Sequence, residues 1–140
     1  MAALVIDPSI ALAWLLPDET SAKANAVRQE IEDGAQAWIP VHWWLEIGNA
    51  LLMAERRGRI SDRQVDHALA LVNALPLEED EDTAEHLSGR VLSLARKHRL
   101  TIYDAAYLEV AQRRGATLAT FDEALAKAAR EEKVPVFDAG

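Results

Sequence analysis

Four acidic residues in this 140-residue sequence stand where predicted strands end or predicted helices begin. Asp7 directly follows an apolar run, and Asp122 follows another within three residues. Glu46 and Asp104 lie near the starts of two predicted helices. In an open parallel sheet, groups beyond the carboxyl ends of the strands share one edge, so the four carboxylates are expected to converge there.

Converging carboxylates repel one another, which raises their pKa values unless a cation neutralises them. Mg²⁺ and Mn²⁺ are the cations that prefer all-oxygen ligand sets. A metal held in this way polarises a phosphoryl oxygen and activates water for in-line attack. The four candidate acids therefore predict a metal site suited to phosphodiester hydrolysis.

Each candidate acid also has an interpretation that requires no metal. Asp7 precedes a proline and is typical of a helix N-cap. Asp104 lies three residues after Thr101, the spacing of a capping box, and Asp122 is placed to cap the last helix. Glu46 is harder to explain in this way, because its neighbours are tryptophan, leucine and isoleucine and a buried charge needs a partner. Residue types and spacing alone leave both interpretations open.

The elements that must position these acids alternate along the chain. Apolar runs predict strands over 3–6, 37–39, 75–77, 116–119 and 134–137. Between them, capping and breaking residues predict helices over 8–16, 21–33, 42–57, 61–75, 83–98 and 101–115 and from 122 onward. This order predicts βαβ units and a parallel sheet, an α/β fold. The acidic run EEDED over 78–82 is expected to be a solvated turn.

Composition narrows the class of protein. A net charge of −8 argues against binding nucleic acid through a broad basic face, but not against a nuclease that reaches phosphate through a metal. Cysteine is absent, which excludes disulfides and thiolate chemistry. No apolar run approaches the ~18 residues of a membrane span, and no signal peptide is evident. We expect a single cytoplasmic domain over 1–140 with no membrane segment.

Four segments carry a resemblance to a known family, and they occur in the family's order: VIDPSIALAWLLPDE, HWWLEIGNAL, LTIYDAAYLEVA and LATFDEAL. They resemble PIN-domain ribonucleases, specifically VapC-type toxins of toxin–antitoxin pairs, over nearly the whole chain. The resemblance implies a single PIN-like domain with a parallel five-stranded sheet sandwiched by helices. It also implies Mg²⁺ or Mn²⁺ ligands at Asp7, Glu46, Asp104 and Asp122, with supporting polar residues at Ser9, Asn49, Thr101 and Thr120.

The resemblance further implies a function. Such a protein would be an endoribonuclease toxin that cuts structured RNA, a tRNA or an rRNA, leaves a 5′-phosphate and a 3′-hydroxyl, and blocks translation. Its partners would be a small VapB-like antitoxin that occludes the acids and a second copy in a homodimer. Among the basic residues, Arg96 and Arg99 are the candidates for RNA contact, because the helix carrying Asp104 begins beside them.

Three other functions remain in competition. A housekeeping RNA-processing nuclease with a PIN fold would share the chemistry but not the role. A non-catalytic α/β interaction module would leave the acids as helix caps. A phospho-accepting receiver domain also binds Mg²⁺ beyond its first strand, but it needs an acidic pair there, and Ile6 precedes Asp7.

Overall fold

The computed structural model describes residues 2–19 and 21–138, and its centre is a parallel β-sheet. Within these residues the strands are β1 (Ala3–Ile6), β2 (Gln36–Pro40), β3 (Leu77–Asp80) and β4 (Thr117–Ala119). Their order across the sheet is β3-β2-β1-β4. Val5 in the central strand β1 pairs with Trp38 on one side and with Leu118 on the other. The carboxyl ends of all four strands therefore lie at one edge, as the sequence predicts.

Helices connect the strands, and five of the seven in the described residues begin at a residue whose side chain accepts a backbone N–H. They are α1 (Pro8–Leu15), α2 (Ala22–Glu32), α3 (Trp43–Arg56), α4 (Asp62–Asn73), α5 (Leu92–His98), α6 (Ile102–Arg114) and α7 (Glu123–Glu131). The predicted capping box of Ser61 and Gln64 is present in both directions at the start of α4. Across residues 2–19 and 21–138, no helix is both long enough and apolar enough to cross a membrane.

The prediction of five strands is wrong by one for the described residues. In the predicted fifth strand, Val136 makes only a single parallel bridge to Leu118. Leu118 donates its N–H to the Pro135 carbonyl and accepts the Phe137 N–H, both at 2.8 Å. Proline has no N–H, so the donor that would extend this ladder towards the amino end is missing at position 135. The segment lies beside β4 without forming a regular strand.

The prediction that the acidic run is a solvated turn is also wrong in part. Strand β3 starts at Leu77 and runs into the acidic segment, and its last residue, Asp80, is completely buried. The predicted helix over 83–98 is likewise interrupted, with a 3₁₀ turn at Thr83–His86 and a π turn at Leu87–Val91 before α5 begins. Asp80 accepts the Thr83 hydroxyl at 2.6 Å, so this side chain ties the end of the strand to the turn that follows.

Helix α6 is the element that carries Asp104 into the sheet edge. It contacts β1, β2 and β4 on one side and α5 and α7 on others, and every residue over 105–111 is buried. A helix covered on all sides is apolar nearly all round, which explains why Asp104 stands among residues that favour burial. Thr101 accepts the Asp104 N–H at 3.1 Å and caps the helix, and Gly115 ends it with a positive φ of 62°.

Candidate metal centre

Asp7 lies at the centre of the predicted edge, directly after β1. It is 5% exposed and caps α1, as the sequence predicts. The Ser9 N–H and hydroxyl both donate to its Oδ1 atom, at 3.0 and 2.5 Å. The Thr120 hydroxyl donates to its Oδ2 atom. Donors from the start of α1 and from the end of β4 therefore hold both carboxylate oxygens in place.

Burial makes the Asp7 carboxylate hard to ionise. Removal from water raises the pKa of Asp7 to about 6 from an ordinary value of 3.8, although the Ser9 and Thr120 hydrogen bonds favour the charged form. Three hydrogen bonds thus compensate only part of the lost hydration. A carboxylate in this state gains free energy when a cation approaches its open side.

The segment after β4 positions the two hydroxyl groups that hold Asp7. The Phe121 N–H donates to the Ser9 hydroxyl at 3.0 Å, and the Asp122 N–H donates to the Thr120 hydroxyl at 2.9 Å. Asp122 accepts the Leu125 N–H at 3.1 Å and caps α7. The two hydroxyls that hold Asp7 are therefore fixed by the same segment that presents Asp122.

Lys23 supports this segment from α2, and no sequence signal singles it out. Its Nζ atom donates to the Thr120 carbonyl at 2.7 Å and lies 5.2 Å from the centre of the Phe121 ring. An ammonium over an aromatic face is attracted by the ring's electrons. The contact places one positive charge beside the segment that leads to Asp122, and Lys23 forms no ion pair with any described residue.

Glu46 reaches the edge from the first turn of α3. The Tyr107 hydroxyl donates to its Oε1 atom at 2.7 Å, and His42 Nε2 lies 3.4 Å from the same atom. Burial raises the pKa of Glu46, the Tyr107 hydrogen bond lowers it, and the Asp104 charge raises it. Burial and the nearby carboxylates keep the pKa of Tyr107 far above its usual range, so its hydroxyl remains a donor.

Asp104 is close enough to two of the other acids, Asp122 and Glu46, for their charges to interact. Burial raises its pKa first, and repulsion from Asp122 raises it further. Because Asp104 in turn raises the pKa of Glu46, the charges of these three residues act on one another. The acids predicted from separate elements are thus brought to one edge by the fold.

The polar residues that were predicted to support the acids are not all in contact with them. Ser9, Thr101 and Thr120 each hydrogen-bond to one of the acidic residues or its backbone. Asn49 is exposed one turn beyond Glu46, and its side chain makes no hydrogen bond to any described residue. Sequence reasoning missed Tyr107 and His42, although Tyr107 stands three residues after Asp104 on α6 and His42 four before Glu46 on α3, the spacings of one helix face.

The donor set fits a hard divalent cation by charge and by atom type. Every candidate ligand is a carboxylate oxygen, and burial is the largest cause of the raised pKa values of Asp7, Glu46 and Asp104. Over residues 2–19 and 21–138, however, no three histidine, cysteine, aspartate or glutamate side chains form a group that could hold an ion. The carboxylates converge without forming a ready-made coordination shell.

Sequence comparison finds relatives over most of the chain. The family model described as PIN domain matches residues 4–131. The chain is 33% identical over 126 residues to Ribonuclease VapC3 of Mycobacterium tuberculosis, covering 89% of this chain and 86% of the relative. It is 30% identical over 125 residues to Ribonuclease VapC3 of Pyrobaculum aerophilum, covering 89% of this chain and 92% of the relative.

Solved structures share the fold. PAE2754 from Pyrobaculum aerophilum has a TM-score of 0.72 and 25% identity, covering 96% of this chain and 88% of that one. VapC20 of Mycobacterium tuberculosis, a sarcin–ricin loop cleaving toxin, has a TM-score of 0.64 and 18% identity, with coverages of 90% and 95%. VapBC2 from Rickettsia felis, bound to a promoter DNA fragment, has a TM-score of 0.63 and 12% identity, with coverages of 95% and 93%.

Proposed function

This chain belongs to the PIN-domain family, and we propose that it is a Mg²⁺- or Mn²⁺-dependent endoribonuclease acting as the toxin of a toxin–antitoxin pair. The observation that carries the proposal is the convergence of Asp7, Glu46 and Asp104, with raised pKa values, and of Asp122 at the carboxyl edge of the sheet. Two relatives that are named ribonucleases cover most of the chain and support the reaction class.

The four candidate acids would hold the metal. Hydrogen bonds from neighbouring residues fix the positions of three of them, Asp7, Glu46 and Asp104. When bound, the metal would supply polarisation of a phosphoryl oxygen and an activated water. Ser9 and Thr120 hold the Asp7 carboxylate, and Tyr107 holds Glu46. Thr101 and the start of α6 fix the backbone of Asp104. Lys23 stands beside them as a positive charge for the substrate phosphate.

Two surfaces of the protein are suited to the two proposed partners, an antitoxin and a second copy of the chain. A groove of about 820 Å³ between α1 and α3 reaches Ser9 and Phe121, and it offers a place for the segment of a VapB-like antitoxin that covers the acids. Val41, Leu45 and Tyr103 are 58%, 77% and 59% exposed around an apolar pocket of about 420 Å³. Exposed apolar surface of this kind favours an interface, and we assign it to a second copy of the chain in a homodimer.

We assign the substrate to the cytoplasmic pool of structured RNA, with a tRNA or an rRNA as the target. Cleavage there would block translation and arrest growth. VapC20, which shares the fold, is itself described as a toxin that cleaves the sarcin–ricin loop.

Incubation of purified protein with total bacterial RNA tests this function. With Mg²⁺ or Mn²⁺ the wild type is expected to produce discrete cuts, and EDTA is expected to abolish them. Asp104→Asn removes one of the proposed metal ligands and is expected to lower cleavage at least about 10²-fold, given the several kcal/mol that a metal contributes to the transition state. Sequencing of the cut ends identifies the RNA.

The matched control is Asp66→Asn, the same change at an exposed aspartate of α4. It is expected to cleave like the wild type. Absence of cleavage by folded, metal-supplied and antitoxin-free wild type, or full activity in Asp104→Asn, would count against the nuclease and favour the non-catalytic module.

Tyr107→Phe is expected to lower cleavage several-fold and to move the acidic limb of its pH profile upward. The Tyr107 hydrogen bond lowers the pKa of Glu46, so its loss raises that pKa and a higher pH is needed to ionise the carboxylate. The measurement is the cleavage rate from pH 5 to pH 9 at saturating Mg²⁺. In Tyr103→Phe, which loses an exposed hydroxyl on the same helix, the profile is expected to be unchanged. Equal profiles for both variants would remove Tyr107 from the site.

A further inference from the structure

A cleft with several basic side chains, called the basic cleft below, lies between the end of α5 and one face of α7. Its volume is about 310 Å³. Lys97, His98 and Arg99 line it from one side, and Lys127 and Glu131 line it from the other. In a chain with a net charge of −8, two lysines and an arginine line this one small cleft, together with a histidine and the carboxylate of Glu131.

The carboxylates near the cleft are already paired with some of these groups. Glu132 accepts contacts from Lys97 at 2.7 Å and from His98 Nε2 at 2.6 Å. Glu131 lies 3.2 Å from His98 Nδ1. Lys97 and His98 are therefore already paired with carboxylates of the same chain.

Arg99 and Lys127 are the cations of the cleft that stay available. Both are exposed, and neither takes part in an ion pair or a side-chain hydrogen bond with any described residue. Arg99 ends α5 in the left-handed conformation, with φ 55°. Arg99 therefore forms the turn between α5 and α6. Its exposed guanidinium lines the cleft at this turn.

Short stretches of chain connect the cleft to the elements that carry two of the acids. Arg99 stands two residues before Thr101, the cap of the helix that carries Asp104. On the opposite side, Ala124 lines the cleft two residues after Asp122. Lys127 lies five residues after Asp122, which is about 7.5 Å along the axis of α7. One exposed cation thus lies just before α6 and the other lies on α7, the two helices that begin with candidate acids.

We propose that Arg99 and Lys127 bind backbone phosphates of the RNA strand next to the bond that is cut. This inference rests on the proposed function and adds a substrate contact to it. It retains Arg99 from the sequence-based candidates, adds Lys127, and leaves out Arg96, which is exposed and does not line the cleft. Phosphate is favoured over an acidic partner peptide because the two available cations adjoin a centre suited to phosphodiester chemistry.

The salt dependence of RNA binding tests the contact directly. The probe is fluorescein-labelled oligouridylate, and the parent protein is Asp7→Asn, which is expected to bind RNA without cutting it. Each phosphate contact to a single strand contributes about 0.7 to the slope of log K against log salt concentration. Adding Arg99→Gln or Lys127→Gln is expected to reduce the slope by about that amount, and adding both by about 1.4.

Arg63→Gln is the matched control, since Arg63 is exposed on α4, lines no part of the cleft and makes no side-chain pair with any described residue. In the cleaving wild-type background, Arg99→Gln and Lys127→Gln are expected to raise KM for total RNA about 5- to 10-fold with kcat unchanged within about twofold. Circular dichroism and thermal unfolding verify that each variant is folded, so a loss from misfolding is recognised.

Slopes equal to that of the parent and of Arg63→Gln overturn the inference, and so does a parent that fails to bind oligouridylate at low salt. The inference also fails if the two variants lose affinity for the antitoxin and not for RNA. Failure of the proposed function is a separate result, namely no metal-dependent cleavage of total RNA by the wild type.

Discussion

Asp7→Asn is expected to abolish RNA cleavage while making the metal-free protein more stable at neutral pH. Cleavage should fall by at least about 10³-fold, because the change removes a proposed metal ligand whose two oxygens are fixed by Ser9 and Thr120. Stability should rise because the change removes a buried carboxylate whose charge burial disfavours. Opposite effects on activity and stability are typical of functional sites.

The pH dependence of this gain has a definite sign. The pKa of Asp7 is about 6 in the folded protein and is taken as 3.8 when unfolded. Well below pH 3.8 both states are protonated, and the wild type carries no penalty. Between pH 4 and pH 6 the unfolded state ionises first, so folded stability is lost as the pH rises. A shift of this size corresponds to about 2 to 3 kcal/mol above pH 6.

Urea unfolding in EDTA, followed by tryptophan fluorescence from pH 4 to pH 8, measures this difference. The advantage of Asp7→Asn over the wild type is expected to be smallest at pH 4, to grow through pH 6 and to level off towards pH 8. Asp66→Asn, at an exposed aspartate, should show no such trend. An advantage that does not change with pH would contradict the raised pKa of Asp7, and retained cleavage in Asp7→Asn would contradict its role as a metal ligand.

Asp80→Ala is expected to be the most destabilising of these substitutions. Asp80 is completely buried at the end of β3, and Arg113 donates to both of its oxygens at 2.8 Å. Arg114 adds a contact at 2.9 Å. Burial alone would raise the pKa of Asp80, but hydrogen bonds from Arg113, Thr83 and Arg114 hold it far below its usual range.

Removing one member of a buried ion pair costs about 3 to 5 kcal/mol, because the remaining charges lose their partner without regaining water. Glu109, which is 2% exposed, would stay bonded to Arg113, whereas Arg114 would lose its acidic partner. Thermal unfolding is expected to show a Tm lower by roughly 10 °C.

Glu78→Ala, two residues earlier on the same strand and exposed, is the control and should change stability by less than about 0.5 kcal/mol. In a double variant, Asp80→Ala with Arg113→Met should cost less than the sum of the two single changes, since both break the same contact. A loss in Asp80→Ala no larger than in Glu78→Ala would show that the cluster contributes nothing to stability.

The alternation of strands and helices, and the edge at which the acids meet, could both be predicted from the sequence. Short apolar runs followed by capped helices are local signals, and right-handed crossovers between parallel strands leave few ways to connect them. The N-caps at Asp7, Ser61, Thr101 and Asp122 are local as well, because each depends on residues two or three positions away. Position along the chain therefore identified the four candidate acids, and their role as metal ligands stays a prediction.

Contacts between residues far apart in the chain could not be predicted, because they depend on how the helices pack. Glu46 and Tyr107 are 61 positions apart, and α3 and α6 bring them together. Asp80 belongs to an acidic run that was predicted to be solvated, and only the arrival of Arg113 and Arg114 from α6 allows its burial. Local sequence reports propensity, whereas the neutralisation of a buried charge depends on a partner that the fold supplies.

The last predicted strand and the basic cleft also differ in what local sequence predicts and what packing decides. The run VPVF predicts a strand, but the missing N–H of Pro135 leaves it with one bridge to Leu118. Arg99 and Lys127 are 28 positions apart and carry no shared motif, and packing of α7 beside the end of α5 puts them around one cleft. Residue type and spacing fix which groups are available for chemistry, and packing decides which charges are paired internally and which remain open to a ligand.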